Sequence, residues 1–443
     1  MNGKEFMVKR AAIERKESVE RKMDSNISLP LDIPNIEVLR TETRENGDYI
    51  ITVKSTQNGT NCKNCGKAID KYHGRDKEIE VRHLSILGRR VYIRMHPLRY
   101  ECPYCSDKNG KKTTTQRLDW YNPKNSLTRA YEEHLLLSLI NSTTQDVSKK
   151  ERIGYDMVRG VLLHRISQKV DWTEIERLEV LGIDEIALLK GHKDFVAIIT
   201  ARLSGGRIIP LAVLKDRTKA VVKAFLESIP LRLRKTVHSV CTDMWEGYIN
   251  AAREVFGETV SIVVDRFHVA KSYREAVDRL RKSEMKRLKQ VLSDDDYKQL
   301  KGVLWALRKK HSLLNDDEIA LLDRLFSHSP DLKTAYELRE ELTVIFDSDI
   351  CSTVATTELQ QWQQRVLDSG LNCFNSFLTS LTNWLDEIVA YFERRLNSGF
   401  VEGLNNKIKV IKRRCYGILK PGHLFQRIYL DLNGFSFFLP DSP

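Results

Sequence analysis

Apolar positions along this chain recur first at every second residue, then at helical spacing, then in dense short runs, and then at helical spacing again. The stretch "SLPLDIPNIEVLRTETRENGDYIITVKS" alternates as short strands do, around the turn signal "ENGD". "EIEVRHLSIL" and "RRVYIRMHPLRY" are two more β-like runs, joined around Gly88. From about residue 124 to 170 the period becomes helical. "SLTRAYEEHLLLSLINSTTQDVSKKERIGYDMVRGVLLHRIS" predicts one helix, a short one from Thr144, a break near Gly154 and a third helix over "YDMVRGVLLHRI".

From about 178 the pattern changes again. "LEVLGIDEIALLK", "DFVAIITARL" and "RIIPLAVLKD" predict three consecutive strands, with "SGGR" as the second turn. "TKAVVKAFLESI" predicts a helix, "TVHSVCTDM" a fourth strand, "WEGYINAAREVF" a helix and "TVSIVVDRFHV" a fifth strand. Three strands followed by β-α-β is the order of a ribonuclease-H-like fold. From about 271 to 396 the chain is mostly helical and charged, and "LSDDDYKQLKGVLWALRKK" and "NDDEIALLDRLF" each open on a capping residue and early acids. The three helices before residue 170 are similar to a helix-turn-helix, whose last helix would enter a DNA major groove. A plain helical linker has the same pattern.

Composition narrows the class. With 443 residues and 41% apolar content, the chain can build two or more cored domains. A formal charge of +12 favours a polyanionic partner. The longest apolar run is about "EHLLLSLI", far short of a membrane span. The charged start "MNGKEFMVKRAAIERKESVERKMD" has no apolar signal core, so an intracellular protein is expected, and its eight cysteines are expected as thiols or metal ligands. No GxxxxGK[ST] loop is present, so no ATP chemistry is expected.

Two kinds of ligand set stand out. Cys62-Lys63-Asn64-Cys65 and Cys102-Pro103-Tyr104-Cys105 are paired knuckles near short strands, which suits one structural tetrahedral zinc on four sulfurs. Four ordinary thiols are the alternative, with His73, His83 and His96 as spare ligands or, more simply, surface residues. The second set is acidic. Asp184 sits inside an apolar strand, where a charge is costly unless paired or metal-bound. Its neighbour Glu185 points to the opposite face. Asp243 ends the fourth strand, which would lie beside the first. Glu402, on a late helix, is a third carboxylate. Hard oxygen ligands of this kind suit two Mg²⁺ or Mn²⁺ ions and phosphoryl transfer. The cations after Glu402 (Lys407, Lys409, Lys412, Arg413 and Arg414) would then face phosphates, with Lys409 and Arg413 near the face of Glu402. Each acid also has a structural reading. Asp184 could pair with a lysine, Asp243 could cap the next helix, and Glu402 could complement a helix dipole. Asp265 and His268, in "VVDRFHV", form a polar pair at a strand end, for capping or in support of the acids.

"VLGIDE", "CTDMWEGY", "VVDRFHV" and above all "NSGFVEGLNNKIKVIKRRCYG" resemble transposases of the ISL3 insertion-sequence family, over roughly residues 40 to 435. "CKNC" and "LRYECPYC" match that family's amino-terminal zinc finger. The resemblance implies a multidomain α/β and α protein: a ribonuclease-H-like catalytic core with a helical insertion, preceded by a zinc-finger module and a helix-turn-helix. The expected divisions are a charged extension (1–35), the zinc module (36–120), the helix-turn-helix (121–172), the core (173–270 and 397–435) and the insertion (271–396). The implied activity is DDE transposition: binding the element's terminal inverted repeats, then metal-dependent cleavage and strand transfer. Asp184, Asp243 and Glu402 would be the triad, with Asp184 bridging both ions and Asp265 and His268 auxiliary. The implied partners are double-stranded DNA, both element ends and target, and further copies of the chain in a homodimer or higher assembly. The implied place is the bacterial cytoplasm, at the nucleoid when on DNA. A DNA-binding regulator or inactive remnant, and a stand-alone nuclease, are the rival classes; three acids in intact motifs argue against the first.

Overall fold

The computed structural model describes residues 30–105, 112–188, 195–394, 399–415 and 418–438. The chain divides into two compact units, Met1–Ala130 and Tyr131–Pro443. Most of the charged N-terminal stretch lies outside the described residues.

The first unit is β-rich. A six-stranded sheet runs in the order Ile36–Thr43, Tyr49–Ser55, Arg89–Met95, Ile79–Ile86, Leu127–Thr128 and Tyr121–Asn122. The "ENGD" turn closes the first hairpin with Gly47 at φ +84°, and Gly88 at φ +74° turns the chain between Ile86 and Arg89. Both positions need the left-handed backbone that glycine adopts cheaply. Alternation buries Val81, Val91, Ile93 and Met95 on one face, with Leu118 and Trp120 over them. Two smaller sheets carry the cysteines: Thr60–Asn61 with Ala68–Ile69, and Lys71–Arg75 with Leu98–Glu101 and Thr113–Thr115.

The second unit begins with three helices, Arg129–Leu139, Thr144–Glu151 and Tyr155–Arg165. Thr143 caps the second by accepting from the Asp146 N–H, and Arg152 ends it at φ +55°. A five-stranded sheet follows, in the order Ile208–Val213, Phe195–Arg202, Val180–Ala187, Ser239–Thr242 and Ser261–Val264. Numbered along the chain this is 3-2-1-4-5. The first three strands are antiparallel, and the fourth and fifth run parallel to the first. The central strands are buried along almost their whole length because helices cover both faces.

On one face, Val222, Leu226, Tyr248 and Ile249 of the Lys219–Ser228 and Glu246–Phe256 helices pack onto the sheet. On the other, Leu404, Ile408 and Ile411 of the Gly399–Arg414 helix and Leu424 and Ile428 of the Pro421–Phe438 helix meet Ile186, Val196 and Ile198. The helical region between them is not a separate core: one apolar cluster continues from Ile175 through Trp362 to Phe392. A 26-residue helix, Arg266–Val291, leads from the sheet into that region, and the Leu385–Arg394 helix returns beside the fifth strand. The caps expected at Ser293 and Asn315 form, the second as a full capping box with Glu318. Gly302, at φ +97°, breaks the run after Ser293 into two short helices.

The fifth strand is shorter than the sequence pattern suggests. It stops at Val264, because the Asp265 carboxylate accepts from the Phe267 N–H at 2.7 Å and starts the long helix. "DRFHV" is therefore a helix start rather than strand.

Candidate active site and zinc centre

The two CxxC turns converge. The sulfurs of Cys62, Cys65, Cys102 and Cys105 all lie within 4.8 Å of one another, with Cys62 to Cys105 at 3.9 Å and Cys65 to Cys102 at 3.7 Å. Local backbone geometry makes this possible. Gly66 takes φ +74°, and its N–H and that of Asn64 point back at the Cys62 carbonyl and sulfur. The N–H groups of Cys65 and Asn64 pull the Cys62 thiol down to about 6, whereas hydrogen bonding with Cys65 and then burial push Cys105 up to about 12. Such a split is expected when several thiols share one proton-poor cage; a dication would let all four ionise. Among the described residues no other group of three or more His, Cys, Asp and Glu is close enough to hold a metal. The spare histidines stay apart from it. His83 is a core residue rather than a surface one: it is 5% exposed and bonds Thr128 Oγ1 at 3.0 Å, and burial lowers its pKa.

The acids meet through strand register. Ile183 pairs with Thr242, and Thr242 with Val264. Asp184, Asp243 and Asp265 each stand one residue further on, so the three form a row across adjacent parallel strands. Asp184 is half-buried and accepts from the Glu185 N–H at 2.6 Å. Burial pushes its carboxyl above the usual range, partly offset by that N–H and by the charges of His268 and Lys409. Asp243 is pushed up to about 7, by burial and by the Asp184 and Glu185 carboxylates, against the pull of His268. It accepts one bond, from the Trp245 N–H at 3.2 Å, and gives the Glu246–Phe256 helix no side-chain cap. Two half-buried, mutually repelling carboxylates of raised pKa fit a divalent cation between them. Asp265 is 7% exposed, with His268 Nε2 3.9 Å from its Oδ2.

Glu402 belongs to the Gly399–Arg414 helix, whose apolar stripe docks on the face of the central strand that Asp184 shares with Ile186. Its side chain lies outside what the structure describes. The cations after it divide. Lys407, Lys409 and Arg413 are exposed. Lys412 instead turns inward and donates to the Ala187 carbonyl, and burial lowers its pKa. Arg414 meets the buried Asp431 at 2.8 Å.

Sequence reasoning missed three groups here. Arg217 bonds Glu185 at 2.6 Å and lies between the rings of Phe195 and Trp245, 4.7 and 4.6 Å from their centroids. Tyr248 is fully buried, its hydroxyl has no hydrogen-bond partner, and burial and the nearby Asp243 raise its pKa. Asp431 joins Arg427 and Arg414 to the Asn141 N–H, while Arg427 also donates to the Leu139 and Ser142 carbonyls. The adjacency of Trp245 to Asp243 was a signal the sequence did contain.

Residues 181–428 match a family model described as transposase, of the ISL3 type, and residues 59–105 match one described as the zinc-finger of transposases IS204, IS1001, IS1096 and IS1165. The transposase for insertion sequence element IS1001 of Bordetella parapertussis is 28% identical over 379 residues, covering 85% of this chain and 90% of that protein. The transposase for IS1557 of Mycobacterium tuberculosis H37Rv is 21% identical over 405 residues, covering 86% of this chain and 87% of its own. A solved Drosophila P element transposase strand transfer complex aligns with 75% of this chain and 95% of its own at a TM-score of 0.38 and 11% identity, too slight a likeness to bear on the fold. No helix among the described residues is long and apolar enough to cross a membrane.

Proposed function

The chain belongs to the ISL3 family of insertion-sequence transposases, and on that premise we propose that it binds the terminal inverted repeats of its own element and cuts and joins DNA at the Asp184, Asp243 and Glu402 carboxylates. The observation that carries this reading is the row of acids: Asp184, inside the central strand, stands level with Asp243, just past the end of the adjacent parallel strand, and both carboxyls are raised by burial. The 3-2-1-4-5 strand order supports a ribonuclease-H-like core, split as 173–270 and 397–435 around the helical insertion 271–396. The helices of 121–172 are read as the helix-turn-helix, after the extension 1–35 and the zinc module 36–120. Two Mg²⁺ or Mn²⁺ ions would supply the positive charge that activates the attacking oxygen and stabilises the leaving one. Asp184, Asp243 and Glu402 would hold these ions. Asp265 and His268 hold the charge balance behind them. Lys409, whose charge reaches Asp184, and Arg413, one turn further along the same helix, are both exposed and would hold the DNA backbone in line. Both element ends must be held together, so an assembly of at least two copies is part of the proposal. The four cysteines hold one structural zinc.

The test uses an oligonucleotide duplex carrying the element's end, with Mn²⁺ or chelator. Asp243→Asn should lower cleavage and joining by about a thousandfold, the loss of several kcal/mol of transition-state charge stabilisation. End binding should stay within a few-fold of wild type. Full metal-dependent cutting by Asp243→Asn would sink the assignment.

A further inference from the structure

Beside the acid row, on the Glu185 side, three groups form a short stack: the Phe195 ring, the Arg217 guanidinium and the Trp245 indole, with Arg217 4.7 Å and 4.6 Å from the two ring centroids. Glu185 fixes the guanidinium at 2.6 Å. The indole is fixed from below as well. Its main-chain N–H is tied to the Asp243 carboxylate, and its Nε1 edge lies so close over Gly247 that a Cβ there would stand 2.8 Å from it. A tryptophan held this firmly would normally be buried, yet Trp245 is 42% exposed. Arg217 lies over one face of the ring, 4.6 Å from its centroid.

We propose that Trp245 is a stacking platform for an unpaired DNA base beside the scissile phosphate, extending the Phe195–Arg217–Trp245 stack by one more flat group. This rests on the assignment of Asp243 to the cleavage site. The chemistry is specific to a nucleobase. An indole presents a flat, weakly polar face on which any base can stack. The guanidinium behind it polarises the ring and adds positive charge near the phosphates. Asp243 is two residues away, so a base on this platform lies next to the phosphate that the acids address. Holding one base out of the duplex would give the reacting phosphate the room and the angle that a paired, stacked strand denies it. The cost is unpairing and unstacking, which is lowest where the base is already mismatched.

The experiment compares the whole protein on two end duplexes, one fully paired and one with mismatched nucleotides flanking the cleavage position. Trp245→Ala should slow cleavage of the paired end by about tenfold or more. It should bind that end almost normally and should cut the mismatched end within a few-fold of wild type. Trp245→Phe should keep most of the activity on both. Gly247→Ala, which retains the indole but displaces it, should show the same substrate-dependent loss in smaller measure. Equal slowing on both substrates would mean that the ring only supports the fold, and unchanged rates on both would mean that no base rests there; either overturns the proposal. Asp243→Asn serves as the control. If it cuts either duplex, the site assignment itself fails; if it is dead on both while Trp245→Ala behaves as wild type, only the platform is lost.

Discussion

The four cysteines come from two turns only 36 residues apart, and their sulfurs meet within 4.8 Å where the small sheets pair the strands beside those turns. The acids come from the interior of one strand, the end of its parallel neighbour and, in the proposed triad, a helix more than 150 residues further on. They meet only because the sheet sets Asp184 beside Asp243 and because Leu404, Ile408 and Ile411 seat the late helix on that sheet. Both sites crowd groups that ionise negatively, but the crowding is resolved differently. At the sulfur site Cys62 is pulled down while Cys102 and Cys105 are pushed up. At the acid site both described carboxyls are pushed up. On the proposed assignments a cation would hold the fold together in the first case and would chiefly serve the chemistry in the second.

That contrast breaks most visibly at the cysteines. Cys102→Ser, or removal of zinc by a strong chelator, should unfold the small sheets around the site, since structural zinc contributes on the order of 10 kcal/mol in small modules. One zinc per chain should fall to none, and end binding should be lost. Removing Mg²⁺ or Mn²⁺ should instead leave circular dichroism and zinc content unchanged. A wild-type protein that holds no zinc, with a Cys102→Ser variant that keeps its fold and its end binding, would show that the cluster is four ordinary thiols.

A second experiment strikes the long-range assembly and spares the local one. Asp431 is buried, meets both Arg427 and Arg414 at 2.8 Å, and accepts from the Asn141 N–H at 2.7 Å. It fastens the Pro421–Phe438 helix to the three leading helices and to the helix that carries Glu402. Asp431→Ala strands two guanidinium groups in a dry site and should destabilise the second unit by about 3–5 kcal/mol. Differential scanning calorimetry should show that transition move down, while zinc content holds.

The same difference in range explains what the sequence could tell. The cysteine pairs, the hairpin glycines Gly47 and Gly88, the caps Ser293 and Asn315, and the five strands were legible because each signal is local. So was the nearness of Asp184 to Asp243, once the strand order was read. Asp265 was legible as a residue that could cap or support the acids, but not as the point where the strand stops, because an acid after "SIVV" is equally consistent with a strand running on. Lys412 and Arg414 look like their neighbours in sequence. Only the seating of their helix turns them toward Ala187 and Asp431. Arg217 lies 28 residues before Trp245, with two helices and a strand between, and nothing local announces that they meet.

The acid site should also register in the dependence of stability on pH. Asp243 titrates at about 7 in the folded chain, against about 3.9 for an ordinary aspartate. Between those values the folded state keeps a proton that the unfolded state has lost, so metal-free stability falls as pH rises from about 4 to about 7. Asp243→Asn should flatten that slope, and Mn²⁺ should lift stability most on its alkaline side. Thermal unfolding of the metal-free protein at several pH values reads this directly. A slope that Asp243→Asn leaves unchanged would mean that the acid is not held in the raised state.

The smallest effects separate the cations that follow Glu402. Lys409 and Arg413 are exposed, and a phosphate contact by either releases a counterion when DNA binds. Lys409→Ala and Arg413→Ala should therefore each reduce the slope of log affinity against log salt by about 0.9. Lys412 is committed to the Ala187 carbonyl, at the end of the strand that carries Asp184. Lys412→Ala should leave the salt slope alone and cost about 1 kcal/mol of stability through the lost hydrogen bond. Anisotropy titrations of an end duplex across a salt series, paired with thermal unfolding, distinguish the two behaviours. If Lys412→Ala shifts the salt slope as much as Lys409→Ala does, the lysine leaves its carbonyl for the phosphate, and the helix is then read by DNA along its whole basic run rather than along one exposed edge.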